Sequence, residues 1–341
     1  MSDIRLGILG ATGVVGEEMM KVIEERNVKY KSLKLLASKK SAGNVVEFNN
    51  EQLIIEEVNE NSFDDLDILL VAVSSGLSRK FSPIAVDKGV TVIDNSSAFR
   101  LASQVPLIVP EVNGDDVVKH KGIIANPNCS TIIALTALNK LNQYAGINRM
   151  IVSTYQAVSG AGAKGLNELK EQISNLENNK ESKSEAFQHQ IAYNLIPHIG
   201  PFNEDGYSEE EMKMQNEGRK IFHNSNLKVN CTCVRVPVFR SHSESITIET
   251  NKEITVDKAK EIISESPGVK LVDNLEKNIY PMPLDTSNQD LIYVGRIRKD
   301  ISKEDNKSLT LWCCGDQVRK GAATNAVQIL QEVIEKEAYK N

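Results

Sequence analysis

The amino-terminal part of the chain alternates short runs of consecutive apolar residues with stretches whose apolar positions recur every third or fourth residue. That pattern predicts buried strands interleaved with helices, and hence a parallel sheet. Residues 4–9, Ile-Arg-Leu-Gly-Ile-Leu, read as a strand running into Gly10-Ala-Thr-Gly-Val-Val-Gly16, followed by a helix through Glu17, Met20, Val22 and Ile23. Strands follow at 33–37, 67–73 and 90–94, and the proline-bearing stretch 106–113 reads as an irregular loop. The run Gly122-Ile-Ile-Ala125 stops at Pro127, after which Ile132, Ile133, Leu135, Leu138 and Leu141 fall at helical spacing.

The pattern then changes. A β-rich run covers 150–159, and Gly160-Ala-Gly162 opens a helix. The stretch 177–185 is almost wholly polar and reads as an exposed connection. Ser208-Glu-Glu-Glu211 has the form of a capping box on a helix reaching 222. Residues 228–238 and 243–250 alternate as strands of a half-covered sheet, and a helix over 256–266 precedes strands near 269–272, 293–297 and 308–314. Strand upon strand without regular βαβ alternation predicts a second domain with a mixed sheet. A last helix, about 321–336, carries the small residues Ala322, Ala323 and Ala326.

Composition narrows the function classes. The chain has 341 residues, 40% hydrophobic and 25% charged, as expected of a globular protein with two domains. A net charge of −6 with mixed signs argues against nucleic acid or anionic membrane as a partner. No apolar run is long enough to span a bilayer, and the amino terminus enters a charged strand with no signal peptide. Cys129, Cys231, Cys233, Cys313 and Cys314 form no C-x-x-C pair, and the histidines no H-E-x-x-H, so no zinc is expected. An odd cysteine count without a secretory signal points to reduced thiols in a cytoplasm.

The candidate chemistry centres on Asn126-Pro-Asn-Cys-Ser-Thr131. Asn128 is placed to cap the following helix, which puts Cys129 in the first turn. Orphan N–H groups and the positive dipole end favour an anion there, so the thiol is expected to ionise below its usual pKa of about 8.5 and act as a nucleophile. The turn containing Gly10, Gly13 and Gly16 lies between a strand and a helix, where a pyrophosphate can rest on helix N–H groups. At 38–41, where an NAD-binding chain usually places an acid, stand Ser38-Lys39-Lys40-Ser41, which suit a 2′-phosphate and predict NADP. Ser74-Ser75-Gly76 and Asn95-Ser-Ser-Ala-Phe-Arg100 end the next two strands, so Arg100 can meet an anion. Gln156 can orient a substrate, whereas Glu210 and Lys213 alone read as a solvent-exposed helix pair. Arg235 and His242 add a cation and a titratable imidazole.

In this order the motifs resemble the aspartate-β-semialdehyde dehydrogenase family nearly end to end. They are GATGVVG, SAG from Ser41, NSSAFR, NPNCST, YQAVSGAG, EEEMKM, RVPV with HSES, and RKGAATNAVQI. The resemblance implies a Rossmann-type NADP-binding domain over 1–128 with 316–341, and an α+β catalytic and dimerisation domain with a mixed sheet over 129–315. It implies Cys129 as nucleophile, His242 as general acid/base and Gln156 as the orienting residue. Arg235 would take the substrate α-carboxylate, Glu210 its amino group, and Arg100, Asn128 and Lys213 the phosphate. Cofactor contacts would fall on Gly10, Thr12, Gly13, Val14, Val15, Gly16, Ser38, Lys39, Ser41, Ser74, Ser159, Gly160 and Asn325. The implied reaction is NADPH-dependent reductive dephosphorylation of L-aspartyl 4-phosphate to L-aspartate 4-semialdehyde through a Cys129 thioester. It would serve lysine (through diaminopimelate), threonine and methionine biosynthesis, in a cytoplasmic homodimer or homotetramer. Phe239-Arg240-Ser241 departs from the commoner glycine- or alanine-bearing turn before the histidine. N-acetyl-glutamyl-phosphate reduction is opposed by Glu210 and by NPNCST. A non-catalytic NADP-binding sensor is opposed by the retained Cys129, Gln156, Arg235 and His242, and a thiol hydrolase leaves the glycine turn without a purpose.

Overall fold

The computed structural model describes residues 3–340. The chain forms two compact units, Met1–Pro127 with Ala322–Asn341, and Asn128–Gly321. Among the described residues no helix is long and apolar enough to cross a membrane.

The first unit contains β1 (Arg5–Leu9), α1 (Val14–Glu25), β2 (Ser32–Ala37), β3 (Val45–Phe48), β4 (Glu51–Glu57), β5 (Ile68–Val71), α2 (Ser75–Asp87), β6 (Thr91–Asp94), α3 (Pro110–Asn113) and β7 (Ile123–Ala125). Its sheet has the order β3-β4-β2-β1-β5-β6-β7, parallel except for β3 against β4. Central β1 is apolar on both faces, Leu6 and Ile8 joining one core cluster and Leu9 the other. The β3–β4 hairpin has no counterpart in the sequence reading. Its strands are mostly exposed at a sheet edge, and its turn is made by Asn49 and Asn50 at φ 51° and 63°, a left-handed pair that asparagine tolerates. Within the stretch expected to be irregular, Pro110 opens the one-turn α3.

The second unit contains α4 (Cys129–Ala145), β8 (Ile147–Gln156), α5 (Gly162–Glu177), α6 (Glu209–Ile221), β9 (Lys228–Arg235), β10 (His242–Thr250), α7 (Val256–Ser264), β11 (Val269–Leu271), α8 (Pro283–Thr286), β12 (Ile292–Lys299) and β13 (Ser308–Gly315). The mixed sheet runs β11-β12-β13-β10-β8-β9. One face, with Met150, Val152, Cys231, Cys233, Ile246, Ile248, Leu311 and Cys313, is buried, and α4 packs against β8, β10, β12 and β13. Parallel β8 and β9 end side by side, Gln156 opposite Arg235, and antiparallel β10 begins beside that end with Ser243 opposite Tyr155. Strand register thus brings Gln156, Arg235 and His242 to one end of one face.

The polar stretch after α5 is exposed, yet its far end is fastened. Glu168 Oε2 accepts from the N–H of Glu185 at 2.7 Å, and Gln172 Oε1 from those of Ile191 and Ala192 at 2.9 and 3.0 Å. The chain finally re-enters the first unit at Ala322, where the capping Ala323 and, within α9 (Thr324–Glu335), Ala326, Val327 and Leu330 are buried in that unit's core.

Candidate active site

Helix α4 opens as its sequence demands. Asn128, in extended conformation, accepts from the N–H groups of Ser130 and Thr131 at 3.0 and 3.3 Å, which leaves Cys129 as the first helical residue. A Cβ on Gly321 would come within 2.9 Å of the Cys129 Cβ, so glycine is required where the turn after β13 passes Cys129. Cys129 is half-buried, whereas the other four cysteines are buried. A hydrogen bond with Cys233, then burial, pushes the Cys231 thiol up, and burial pushes up those of Cys313 and Cys314, the last to about 12. Those three thiols are inert at neutral pH.

Around α4 the second unit assembles one polar network. Glu210 Oε1 accepts from Asn128 Nδ2 at 2.9 Å and Gln156 Nε2 at 3.1 Å, while Lys213 Nζ lies 3.1 Å from Oε2. The expected solvent-exposed pair is therefore wrong: Glu210 is only 9% exposed, because α6 packs this face on β9 and α4. Burial pushes its carboxyl up, but the Lys213 ammonium and the three donors outweigh that and bring it down to about 2. Glu210 is an anion throughout the physiological range.

Arg235 is 6% exposed. One guanidinium nitrogen donates to the Ala157 carbonyl at 2.7 Å, and the Phe187 ring lies 5.8 Å from its Cζ. Burial pulls its pKa down, opposed by negative charge on Glu210 and Cys129. Gly160 lets the chain pass close, since a Cβ there would meet that guanidinium at 2.8 Å and the His242 ring at 3.4 Å.

His242 is fully buried, and the Ala157 N–H donates to its Nδ1 at 3.0 Å. Nδ1 therefore presents a lone pair, and the neutral ring carries its proton on Nε2. Burial, then the Arg235 guanidinium, disfavour the imidazolium and hold its pKa down to about 3, with Glu210 opposing. Gln156 Nε2 stands 3.5 Å from His242 Nε2. The Gln156 amide is oriented by Glu210 on its nitrogen and by the Thr154 hydroxyl, which donates to Oε1 at 2.9 Å. Two N–H donors thus converge on one spot, an arrangement able to hold a developing oxyanion.

Two contributors escaped the sequence reading. Thr154 precedes Gln156 by two positions on the same strand face, and Glu217 follows Glu210 by seven on the same helix face. The spacings were visible, but their partners depend on tertiary packing.

In the first unit, Gly10 has φ +90°, and a Cβ on it would meet the Ala72 carbonyl at 2.4 Å. One on Gly16 would meet the Gly10 carbonyl at 2.2 Å, so neither glycine is replaceable in this turn. Gly13 caps α1 without a side-chain bond, leaving the first-turn N–H groups of Val14, Val15 and Gly16 for a phosphate. Thr12 bonds Ser41 at 3.3 Å, and Ser38, Lys39, Lys40 and Ser74 are exposed at the strand ends. The residues present fit a dinucleotide. Arg100 is buried and donates to the carbonyls of Asn126 and Asn95, both at 2.9 Å. Asn325 is fully buried, donating to the Ile108 carbonyl at 2.9 Å and Asn126 Oδ1 at 2.7 Å. Ser159 and Gly160 belong to the second unit, where Gln317 donates to the Ser159 hydroxyl. Among the described residues no group of three or more acidic, histidine or cysteine side chains is arranged to hold a metal.

Residues 5–120 match the family profile described as semialdehyde dehydrogenase, NAD binding domain, and residues 138–320 that described as semialdehyde dehydrogenase, dimerisation domain. An aspartate-semialdehyde dehydrogenase of Aquifex aeolicus is 50% identical over 334 residues, spanning 97% of this chain and 98% of the relative. That of Bacillus subtilis is 44% identical over 338 residues, 97% of each. Among solved structures, aspartate semialdehyde dehydrogenase II of Vibrio cholerae, complexed with ASA, superposes with a TM-score of 0.95 at 41% identity, covering 98% of this chain and 99% of that one.

Proposed function

The chain belongs to the aspartate-semialdehyde dehydrogenase family, and from that premise we propose that it reduces L-aspartyl 4-phosphate to L-aspartate 4-semialdehyde with NADPH. The observation that carries this reading is the convergence in one unit of Cys129 at a helix start with Gln156, Glu210, Arg235 and His242. In this reading Arg235 grips the α-carboxylate with a planar fork, and ionised Glu210 takes the ammonium. Arg100, Asn128 and Lys213 serve the phosphate.

The Cys129 thiolate adds to the acyl carbon, and the carbonyl electron pair moves to oxygen. There the N–H groups of Gln156 and His242 hold it. Its return expels phosphate, which takes a proton from solvent, and leaves a thioester. The nicotinamide, when bound, supplies the hydride that reduces the thioester carbon. The resulting alkoxide, hydrogen-bonded to His242 Nε2–H, collapses to the aldehyde as the C–S bond breaks and the thiolate returns. In this reading His242 serves as an Nε2–H donor that keeps its proton in each step, in place of the proton transfer first expected of it.

NADP is assigned over NAD from Lys39 and Lys40 and from the missing acid at 38–41. The cofactor set is that of the glycine turn Gly10, Thr12, Gly13, Val14, Val15 and Gly16 with Ser38, Lys39, Ser41, Ser74, Ser159 and Gly160. Asn325 acts by holding Asn126. The enzyme is placed in the cytoplasm, as a homodimer or homotetramer.

The test is phosphate-dependent formation of NADPH from NADP and L-aspartate semialdehyde, run beside N-acetyl-glutamate semialdehyde and beside NAD. Turnover with the first aldehyde, absent without phosphate, is expected. No turnover by folded protein that still binds NADP would overturn the assignment. Replacing Cys129 by alanine should abolish turnover and leave the dissociation constant for NADPH within about twofold, since the glycine turn lies in the other unit.

A further inference from the structure

Glu217 lies two helical turns beyond Glu210, is 2% exposed, and accepts the main-chain N–H of Asn128 at 2.7 Å. At 1.5 Å rise per residue their Cα positions are about 10 Å apart along α6 and on one face of it. They reach opposite ends of the same residue, Glu210 the side-chain amide and Glu217 the backbone N–H. Asn128 thereby has every polar handle around its Cα engaged, because its Oδ1 already caps α4 through Ser130 and Thr131. We propose that Glu217 is a positioning residue for the nucleophile, its carboxylate fixing the peptide that joins Pro127 to Asn128, the capping residue before Cys129, and so setting where the sulfur stands.

The geometry leaves little else to do this. The cap bonds from Ser130 and Thr131 fix the Asn128 side chain, but its backbone nitrogen precedes the helix and has no partner within it. A charge-assisted bond from a buried carboxylate is short and directional, and Glu217 comes from a helix already registered on the substrate network through Glu210. On the opposite side Gly321 approaches the Cys129 Cβ so closely that no Cβ fits. The sulfur is therefore held between α6, acting through the backbone of Asn128, and the turn at Gly321. Lys220, one turn further along α6, lies close enough for Glu217 to raise its pKa against the larger effect of burial, which supplies countercharge to the buried carboxylate.

The inference rests on Cys129 being the nucleophile. The experiment compares full-length wild type, Glu217→Gln, Glu217→Ala and Cys129→Ser, following kcat and KM for L-aspartate semialdehyde and the dissociation constant for NADP. Glutamine keeps an acceptor oxygen for the Asn128 N–H; alanine does not. Expected are a fall of about 100-fold in kcat for Glu217→Ala, the scale that misplacing a reacting group by 1 Å produces, and recovery of most of it in Glu217→Gln. KM for the aldehyde should move little, and NADP binding not at all. Wild-type kcat in Glu217→Ala, or a Glu217→Gln variant that binds NADP normally yet is as slow as alanine, would overturn the proposal. If Glu217→Ala does not fold, the Glu217→Gln value alone decides, retained kcat supporting the acceptor role and a hundredfold loss refuting it. Full activity in Cys129→Ser would instead refute the assignment of the nucleophile, which this panel separates from the role of Glu217.

Discussion

Single residues decide the chemistry through the donors and acceptors they are given. Gln156 is useful only if its amide points one way, and a glutamine on a strand has no intrinsic reason to do so. Ionised Glu210 on its nitrogen and the Thr154 hydroxyl on its oxygen settle the matter. Replacing Thr154 by valine keeps the shape and leaves the buried Gln156 carbonyl unsatisfied, a cost of about 1–3 kcal/mol. If half of that falls on the oriented state, kcat should drop about fivefold, with NADP binding unchanged and with Thr154→Ser close to wild type. An unaltered kcat in the valine variant would show that Glu210 alone sets the amide. The sequence revealed Cys129, Arg235 and His242 because each sits in a contiguous motif. The contacts of Thr154 and Glu217 were not legible, since their partners are set by tertiary packing, that of Glu217 lying 89 positions away. The tautomer of His242 was not legible either, because the Ala157 N–H that donates to its Nδ1 comes from another strand's end.

At the level of elements, hydrophobic periodicity and capping signals located most strands and helices. They failed at the β3–β4 hairpin, where the exposed Val45 and Ile54 blur the alternation of the core-packed Val46, Phe48, Leu53 and Ile55, and at the one-turn α3, too short to show a period. One strand also carries a cost that its alternation conceals. Glu244 sits on the buried face of β10, opposite Cys313 and Thr154, and neither carboxyl oxygen has a hydrogen-bond partner. Burial, with a smaller effect from Cys233, pushes its pKa well above the usual carboxylate value of 4.5. The folded protein then keeps a proton that the unfolded chain releases above about 4.5, so unfolded Glu244 binds fewer protons and stability falls as pH rises, until the folded carboxyl itself titrates. The slope is about 1.4 kcal/mol per pH unit for one proton. Substituting glutamine removes this titration. The thermal midpoint of Glu244→Gln, measured from pH 5 to 8, should decline less steeply than that of wild type and exceed it most at the alkaline end. Parallel curves would mean that Glu244 is ionised in the native state and finds compensation there.

For the whole molecule, the order of elements made the two-part architecture legible, and the alanines ahead of α9 hinted at the close packing by which the chain end rejoins the first unit. What the pattern could not give is what covers the second unit's sheet on its other side. There Ile151 is 39% exposed, the Tyr155 and Trp312 rings lie tilted at 42° with centroids 5.3 Å apart, and Thr247 bonds Thr310 at 2.9 Å. This surface lies at the centre of a six-stranded sheet and mixes apolar, aromatic and hydroxyl groups beside the paired charges of Arg149 and Glu249, a composition suited to an isologous contact between two copies. A residue near a twofold axis meets its own counterpart, so a single charge introduced there is doubled and set against itself in a desolvated interface. Ile151→Asp should therefore convert a dimeric wild type to a species of one-chain mass in sedimentation equilibrium at micromolar concentration. Ile151 points away from the face that carries Gln156 and His242, so the variant's circular dichroism should be unchanged. An Ile151→Asp variant that stays dimeric would place the contact on another surface, and a wild type that sediments as a single chain would refute the contact itself.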